Sequence, residues 1–282
     1  MNRSLSVNGR EISLDRPLVM GILNVTPDSF SDGGFYLGER AAIEHGLRLL
    51  EDGADILDIG GESTRPGSGR VDAETEISRV VPVIERIMRS RPDAIISIDT
   101  YKSAVARAAL DAGAAIMNDV AAGTRDPEMI ELAAESDCGV ILMHMQGTPE
   151  TMNQDPVYGD ALAEVCAFLD ERVNAFVDAG VAKERIVTDP GIGFGKLPEH
   201  DIALLRGIPT IEEIGCPVLI GASKKSFLGS ITARPISERS AASVAVAMLA
   251  VMHGAAIVRV HDVRETIDAL KVLAAIRNGK KT

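Results

Sequence analysis

Tryptophan is absent from these 282 residues and aromatic side chains make up only 3% of them. Any core must therefore be assembled from Ala, Val, Ile, Leu and Met. Three cysteines, Cys138, Cys166 and Cys216, stand apart without C-x-x-C spacing, which argues against a disulfide framework or a zinc site. Basic residues are outnumbered 29 to 41, leaving a net charge of −12. A chain that acidic lacks the cationic face that nucleic acid or an anionic membrane requires. The longest nearly apolar run, 241–252, is too short to span a bilayer. Residues 2–16 are polar where a signal peptide would be apolar. The expectation is a cytoplasmic globular protein.

Hydrophobic residues still make up 46% of the chain, ample for a core. Near the start, Asn8-Gly9 separates two short alternating stretches and suits a type I′ turn, predicting a hairpin over about 4–14. Eight mostly apolar runs follow, at 18–25, 56–60, 95–99, 115–119, 140–144, 186–189, 218–222 and 257–261. Apolarity on both faces suits parallel strands covered by helices. Their mean spacing is about 34 residues, the length of one βα unit. Gly53, Gly113, Gly180 and Gly254 each precede a strand, where glycine ends a helix and turns the chain. The pattern predicts an α/β fold, a (β/α)8 TIM barrel with an N-terminal hairpin, as one domain over 1–282. A doubly wound open sheet is the alternative, but no G-x-G-x-x-G follows the first strand. The 241–252 segment is apolar nearly all round, so its outer side is expected to lie in a subunit contact.

Barrel active sites lie at the carboxyl ends of the strands. Those ends carry Asn24; Glu62, Thr64 and Arg65; Asp99; Asn118 and Asp119; His144; Asp189; Lys224 and Lys225; Arg259 and His261. Loop polarity alone accounts for about half of these, and helix capping suits an Asp at such junctions. So many Asp, Asn, Arg and His at one face point instead to a polar ligand. Arg259 and His261, two apart on one strand, face the same side and with Arg65 could cradle an anion.

The stretch 24–34 (NVTPDSFSDGG), Asp58-Ile59-Gly60-Gly61-Glu62-Ser63-Thr64-Arg65-Pro66-Gly67, Ser97-Ile98-Asp99-Thr100, Asn118-Asp119-Val120, Asp189-Pro190-Gly191-Ile192-Gly193-Phe194-Gly195-Lys196, Lys225-Ser226 and Arg259-Val260-His261 resemble the dihydropteroate synthases in type and order. The resemblance runs from Met20 to about His261. It implies a transferase of folate and tetrahydrofolate biosynthesis that joins 6-hydroxymethyl-7,8-dihydropterin diphosphate to p-aminobenzoate. The products are 7,8-dihydropteroate and diphosphate, formed by SN1-like substitution.

By that resemblance Asp99, Asn118, Asp189, Lys225, Met145 and Phe194 bind the pterin. Arg65, Arg259 and His261 bind the diphosphate; Thr64, Pro66 and Ser226 bind p-aminobenzoate. Asp99, Lys225 and Arg65 are the catalytic set, and Asn24 is the ligand of Mg2+. Sulfonamides are the implied inhibitors and a homodimer the implied assembly. Two positions depart from the family pattern: Lys224, where Arg is commoner and which is expected to be a surface charge, and Gln146, where a basic residue is commoner. Alternatives are a methyltetrahydrofolate:corrinoid methyltransferase, a non-catalytic pterin-binding paralogue, and a sugar-phosphate barrel enzyme. The first needs no diphosphate cradle, and the last leaves Asp99, Asn118 and Asp189 unexplained.

Overall fold

The computed structural model describes residues 4–26, 35–62, 70–148, 151–152 and 156–278. Loop residues 27–34, and with them Thr64, Arg65 and Pro66, lie outside the described residues.

Strands β1 (Ser4–Val7) and β2 (Arg10–Ser13) form the antiparallel hairpin. Its turn residues Asn8 and Gly9 have φ of 48° and 69°, the left-handed pair that Asn-Gly tolerates best. Eight parallel strands follow: β3 (Leu18–Asn24), β4 (Ile56–Gly60), β5 (Ile95–Asp99), β6 (Ile116–Asp119), β7 (Gly139–Met143), β8 (Ile186–Asp189), β9 (Leu219–Ile220) and β10 (Ile257–Val260). They pair in sequence from β3 to β8, while β10 lies between β3 and β9. A bridge between Thr188 and Val218 joins β8 to the β9 side and brings the sheet round into a barrel.

Helices alternate with these strands: α1 (Phe35–Glu51), α2 (Ala73–Ser90), α3 (Ser103–Asp111), α4 (Glu128–Glu135), α5 (Ala161–Asp178), α6 (Pro198–Arg206), the short α7 (Ile208–Glu212), α8 (Ser226–Thr232), α9 (Ser240–Met252) and α10 (Val263–Asn278). Gly53, Gly113, Gly180 and Gly254 all take φ between 104° and 111° behind a helix. The seventh barrel strand, β9, is shorter than its predicted span of 218–222. Pro217, which has no N–H for the ladder, precedes it, and Gly221 follows.

Side chains alternate across each strand. Those facing outward, among them Val19, Leu23, Leu57, Ile59, Ile96 and Ile98, pack under the helices. Those facing inward change character along the barrel axis. At the amino-terminal end, Met20, Ile56, Ile116, Ile141, Val187, Leu219 and Ile257 pack on Leu5 and Val7 of the hairpin. Two residues further along, on the same inward face, stand Asp58, Ser97, Asn118, Asp189 and Arg259. The hairpin therefore closes an apolar floor, and the polar layer lies above it.

No helix of the described residues is long and apolar enough to cross a membrane. Helix α9 buries Ser243, Ala247, Ala250 and Val251 but leaves Leu249 and Met252 more than half exposed.

Candidate active site

The polar layer centres on Arg259. Its Nε donates to Asp58 Oδ2 at 2.6 Å and its Nη2 to Asp99 Oδ2 at 2.5 Å. Asn118 Nδ2 donates to the same Asp58 oxygen at 3.1 Å. Side chains from β4, β5, β6 and β10 are thus tied across the barrel. Asp58 is fully buried; Asp99, Asn118 and Asp189 are buried with a small exposed fraction. Among the described residues, Asp58 Oδ1, Asn118 Oδ1 and Ser97 Oγ are buried polar atoms with no hydrogen-bond partner. Unsatisfied groups of this kind are costly in a finished interior, and they fit a layer whose outer members receive a polar ligand.

Burial raises Asp99 to about 7 against the pull of Arg259, with Asp58 adding to the rise. It raises Asp189 to about 6, although the Gly191 N–H at 2.7 Å favours the ionised form. For Arg259, burial opposes the charge, but Asp58 and Asp99 more than offset it and the guanidinium stays protonated.

Lys225, just before α8, lies with Nζ 3.7 Å from the centre of the Phe194 ring. Burial and the neighbouring Arg259 lower it to about 8. Phe194 is itself buried, in a cluster with Tyr101, Val120, Met143 and Met152 against which Met145 packs. Ser226 is exposed on the same turn. His261, just past β10, shares a 3.0 Å hydrogen bond with Ser223 Oγ. Burial first, then Lys224 and Arg259, hold it down at about 3, so its imidazole is neutral at pH 7. Lys224 is a half-buried partner of Asp262 at 2.9 Å, which corrects its expected role as a plain surface charge. Asp119 caps the following turn by accepting from the N–H groups of Ala121 (2.8 Å) and Gly123 (2.6 Å). Gln146 donates to the Val157 carbonyl at 3.1 Å, tying down its own loop.

Three contributors escape strand-end logic. Asp58 lies mid-strand inside an Ile-Leu-Asp-Ile run, and only inward parity with Ile56 and Gly60 marks it out. Lys196 is buried with Nζ 2.9 Å from His144 Nδ1 and 3.0 Å from the Phe194 carbonyl. Burial drops it to about 7. Asp201, also buried, accepts from Gly193 N–H at 2.7 Å. Together they dock the loop between β8 and α6 against the end of β7. A Cβ at Gly191 would strike the His144 carbonyl. At the rim, Glu62 and Glu76 share Lys102 at 2.5 Å each, and Tyr101 donates to Glu62 at 3.3 Å.

Among the described residues, no group of three or more His, Cys, Asp or Glu is arranged to hold a metal ion. Asn24 offers one amide oxygen at the end of β3. That donor set fits Mg2+ only if a polyanionic substrate brings most of the oxygens, which is how Mg2+ is commonly held.

The family of pterin-binding enzymes matches residues 20–261, the span from the first barrel strand to the histidine after the last. The dihydropteroate synthase of Escherichia coli K12 is 44% identical over 277 residues, 98% of each chain. The chain belongs to the dihydropteroate synthases. Among solved structures, that of Xanthomonas albilineans dihydropteroate synthase with 4-aminobenzoic acid superposes with a TM-score of 0.92 at 48% identity. It covers 98% of this chain and 99% of that one. The Yersinia pestis dihydropteroate synthase with a sulfonamide drug complex gives 0.91 at 43%, with the same coverage. Synthesis of 7,8-dihydropteroate from the dihydropterin diphosphate and p-aminobenzoate is accordingly the transferase reaction of this barrel.

Proposed function

We propose that the carboxylate–amide layer around Arg259 is the pterin site of this transferase. The carrying observation is the pair of bonds from one guanidinium to Asp58 and Asp99, with Asn118 on the shared Asp58 oxygen. Asp99 and Asp189 accept from the N–H edge of the pterin, and Asn118 both donates and accepts. Met145, Phe194 and Lys225 form the wall against the ring. Arg65, Arg259 and His261 hold the diphosphate, with His261 contributing as a neutral hydrogen-bond partner. Thr64, Pro66 and Ser226 hold p-aminobenzoate, and sulfonamides take that same place. Asn24 would hold Mg2+, which would supply charge compensation to the leaving diphosphate.

An arylamine is a modest nucleophile, so departure of diphosphate runs ahead of attack. The C–O bond to diphosphate breaks, and the pair leaves with the oxygen. Asp99 then stabilises the electron-poor pterin methylene. The amine nitrogen forms the new C–N bond and releases its proton. Closed surroundings keep water from the cation. No covalent enzyme intermediate is involved.

The chain works as one domain, in the cytoplasm; three unpaired thiols support a reducing compartment. It pairs as a homodimer through α9 and α10, whose exposed Leu249, Met252, Val272 and Ile276 support an apolar contact.

The deciding experiment follows 7,8-dihydropteroate and diphosphate formed from the two substrates, with and without Mg2+. Production of both in equal amounts, dependent on Mg2+, is expected. Pterin binding without turnover would leave a non-catalytic paralogue. Asp99→Asn should lower kcat by about 10²-fold, the usual loss for one electrostatic group, and change pterin affinity far less. Unchanged turnover would remove Asp99 from the chemistry.

A further inference from the structure

We propose that Arg239 is a positioning residue which, with Ser243, holds the strained turn that presents Lys225 and Ser226 to the substrates. This rests on the assignment of those two residues to the site.

The turn between β9 and α8 is under strain at Lys224, whose φ is 59°. A residue with a Cβ rarely adopts that region and stays there only when its surroundings impose it. Beside the Lys224–Asp262 ion pair, the contacts to the turn's own backbone at Lys224 and Lys225 come from the segment that opens α9. Arg239 Nη1 donates to the carbonyls of Lys224 and Lys225 at 3.2 and 3.1 Å. Its Nε donates to the Arg234 carbonyl at 3.0 Å. Lys224 N–H donates to Ser243 Oγ at 2.9 Å, and that hydroxyl donates to the Arg239 carbonyl at 2.7 Å. The guanidinium thus gathers three backbone carbonyls.

The helix opposite is shaped to admit it. A Cβ at Gly229 in α8 would overlap the Arg239 guanidinium. Glycine inside a helix is ordinarily a cost, so its place here is accounted for by the passage of that side chain. Lys225 occupies the N-cap position of α8 with φ −64° and ψ 159°. Its side chain runs past Gly193 to the face of Phe194. The orientation of the turn therefore fixes where the Lys225 ammonium and the Ser226 hydroxyl stand, and displacements of about 1 Å at such groups are costly to catalysis.

The test uses the full-length enzyme, with kcat and both KM values measured for Arg239→Ala, Arg239→Lys, Gly229→Ala, Ser243→Ala and Lys225→Ala. Arg239→Ala is expected to lower kcat and raise KM for p-aminobenzoate, each about tenfold. Affinity for the dihydropterin diphosphate should fall less, by about threefold, because, of its contacts, only Lys225 moves while Asp58, Asp99, Asn118 and Asp189 are untouched. Arg239→Lys should rescue little, since a single ammonium cannot reproduce the fork. Gly229→Ala should copy Arg239→Ala, and the double variant should be no worse than Arg239→Ala alone, both removing the same contact. Ser243→Ala provides a second route to the same turn should the Arg239 variants fold poorly; it should raise KM for p-aminobenzoate in the same direction.

Native kinetic constants in Arg239→Ala or Ser243→Ala, with or without a lower Tm, would overturn the proposal. So would additive losses in the double variant. If Lys225→Ala is as active as the parent enzyme, the site assignment itself fails and takes the proposal with it. A damaged Lys225→Ala beside an intact Arg239→Ala would sink only the positioning role.

Discussion

Asp58 reaches Arg259 and Asn118 while facing no solvent at all. Removing one member of a buried ion pair strands the other, a loss commonly near 3–5 kcal/mol. Asp58→Ala should therefore lower unfolding stability by about 3 kcal/mol, read from urea titration, and weaken pterin binding as Asn118 loses its anchor. A variant as stable as the parent would mean that Arg259 finds another partner. Asp99 and Asp189 make a pH statement. Both accept most strongly, and through both oxygens, when ionised, and burial lifts them to about 7 and about 6. Pterin affinity should consequently fall as the pH drops from 7 to 5, measured by calorimetry. Asp189→Asn should flatten that dependence; an identical slope in the variant would assign the titration elsewhere.

At the scale of elements, the loop between β8 and α6 is held by a buried amine. Burial depresses Lys196 from 10.5 to about 7, so the folded chain binds its proton less tightly than the unfolded chain. Its contribution to stability is present at high pH and is lost as the pH falls from about 10.5 through about 7. His144, Asp189, Asp201 and Lys225 surround it. Lys196→Met, which cannot titrate, should thus lose stability relative to the parent more at pH 9.5 than at pH 7 in urea unfolding. Equal differences at both pH values would place no proton linkage at Lys196. The elements themselves were largely legible because their signals are local: Asn8-Gly9 sets its own turn, and four glycines mark helix ends within a few residues. The Lys196–His144 contact spans 52 positions and leaves no local trace. Asp58 was obscured by its apolar neighbours. The carboxyl-end rule found Asp99, Asn118, Asp189 and Arg259, but not that Arg259 would turn inward onto two carboxylates. The seventh barrel strand is short because only Leu219 and Ile220 pair with β10, while Val218 makes a single bridge to Thr188, a register that hydropathy alone does not reveal.

For the molecule as a whole, the hairpin is part of the core. Leu5 is fully buried against Ile56, Ile116, Val187 and Ile257 at the barrel's amino-terminal end. Leu5→Ala should cost about 2–5 kcal/mol, the range for a buried leucine, while leaving KM for both substrates unchanged in the folded fraction. A change in KM instead of stability would tie the hairpin to the site. That seal also governs traffic. A barrel stoppered at one end is a cul-de-sac, so guests queue in a single file through one door. With the pterin against the inner carboxylates, as proposed, binding should be ordered, the pterin first and the arylamine second, which a product-inhibition pattern in steady-state kinetics would check. Diphosphate and the joined product must both go back out through that same door.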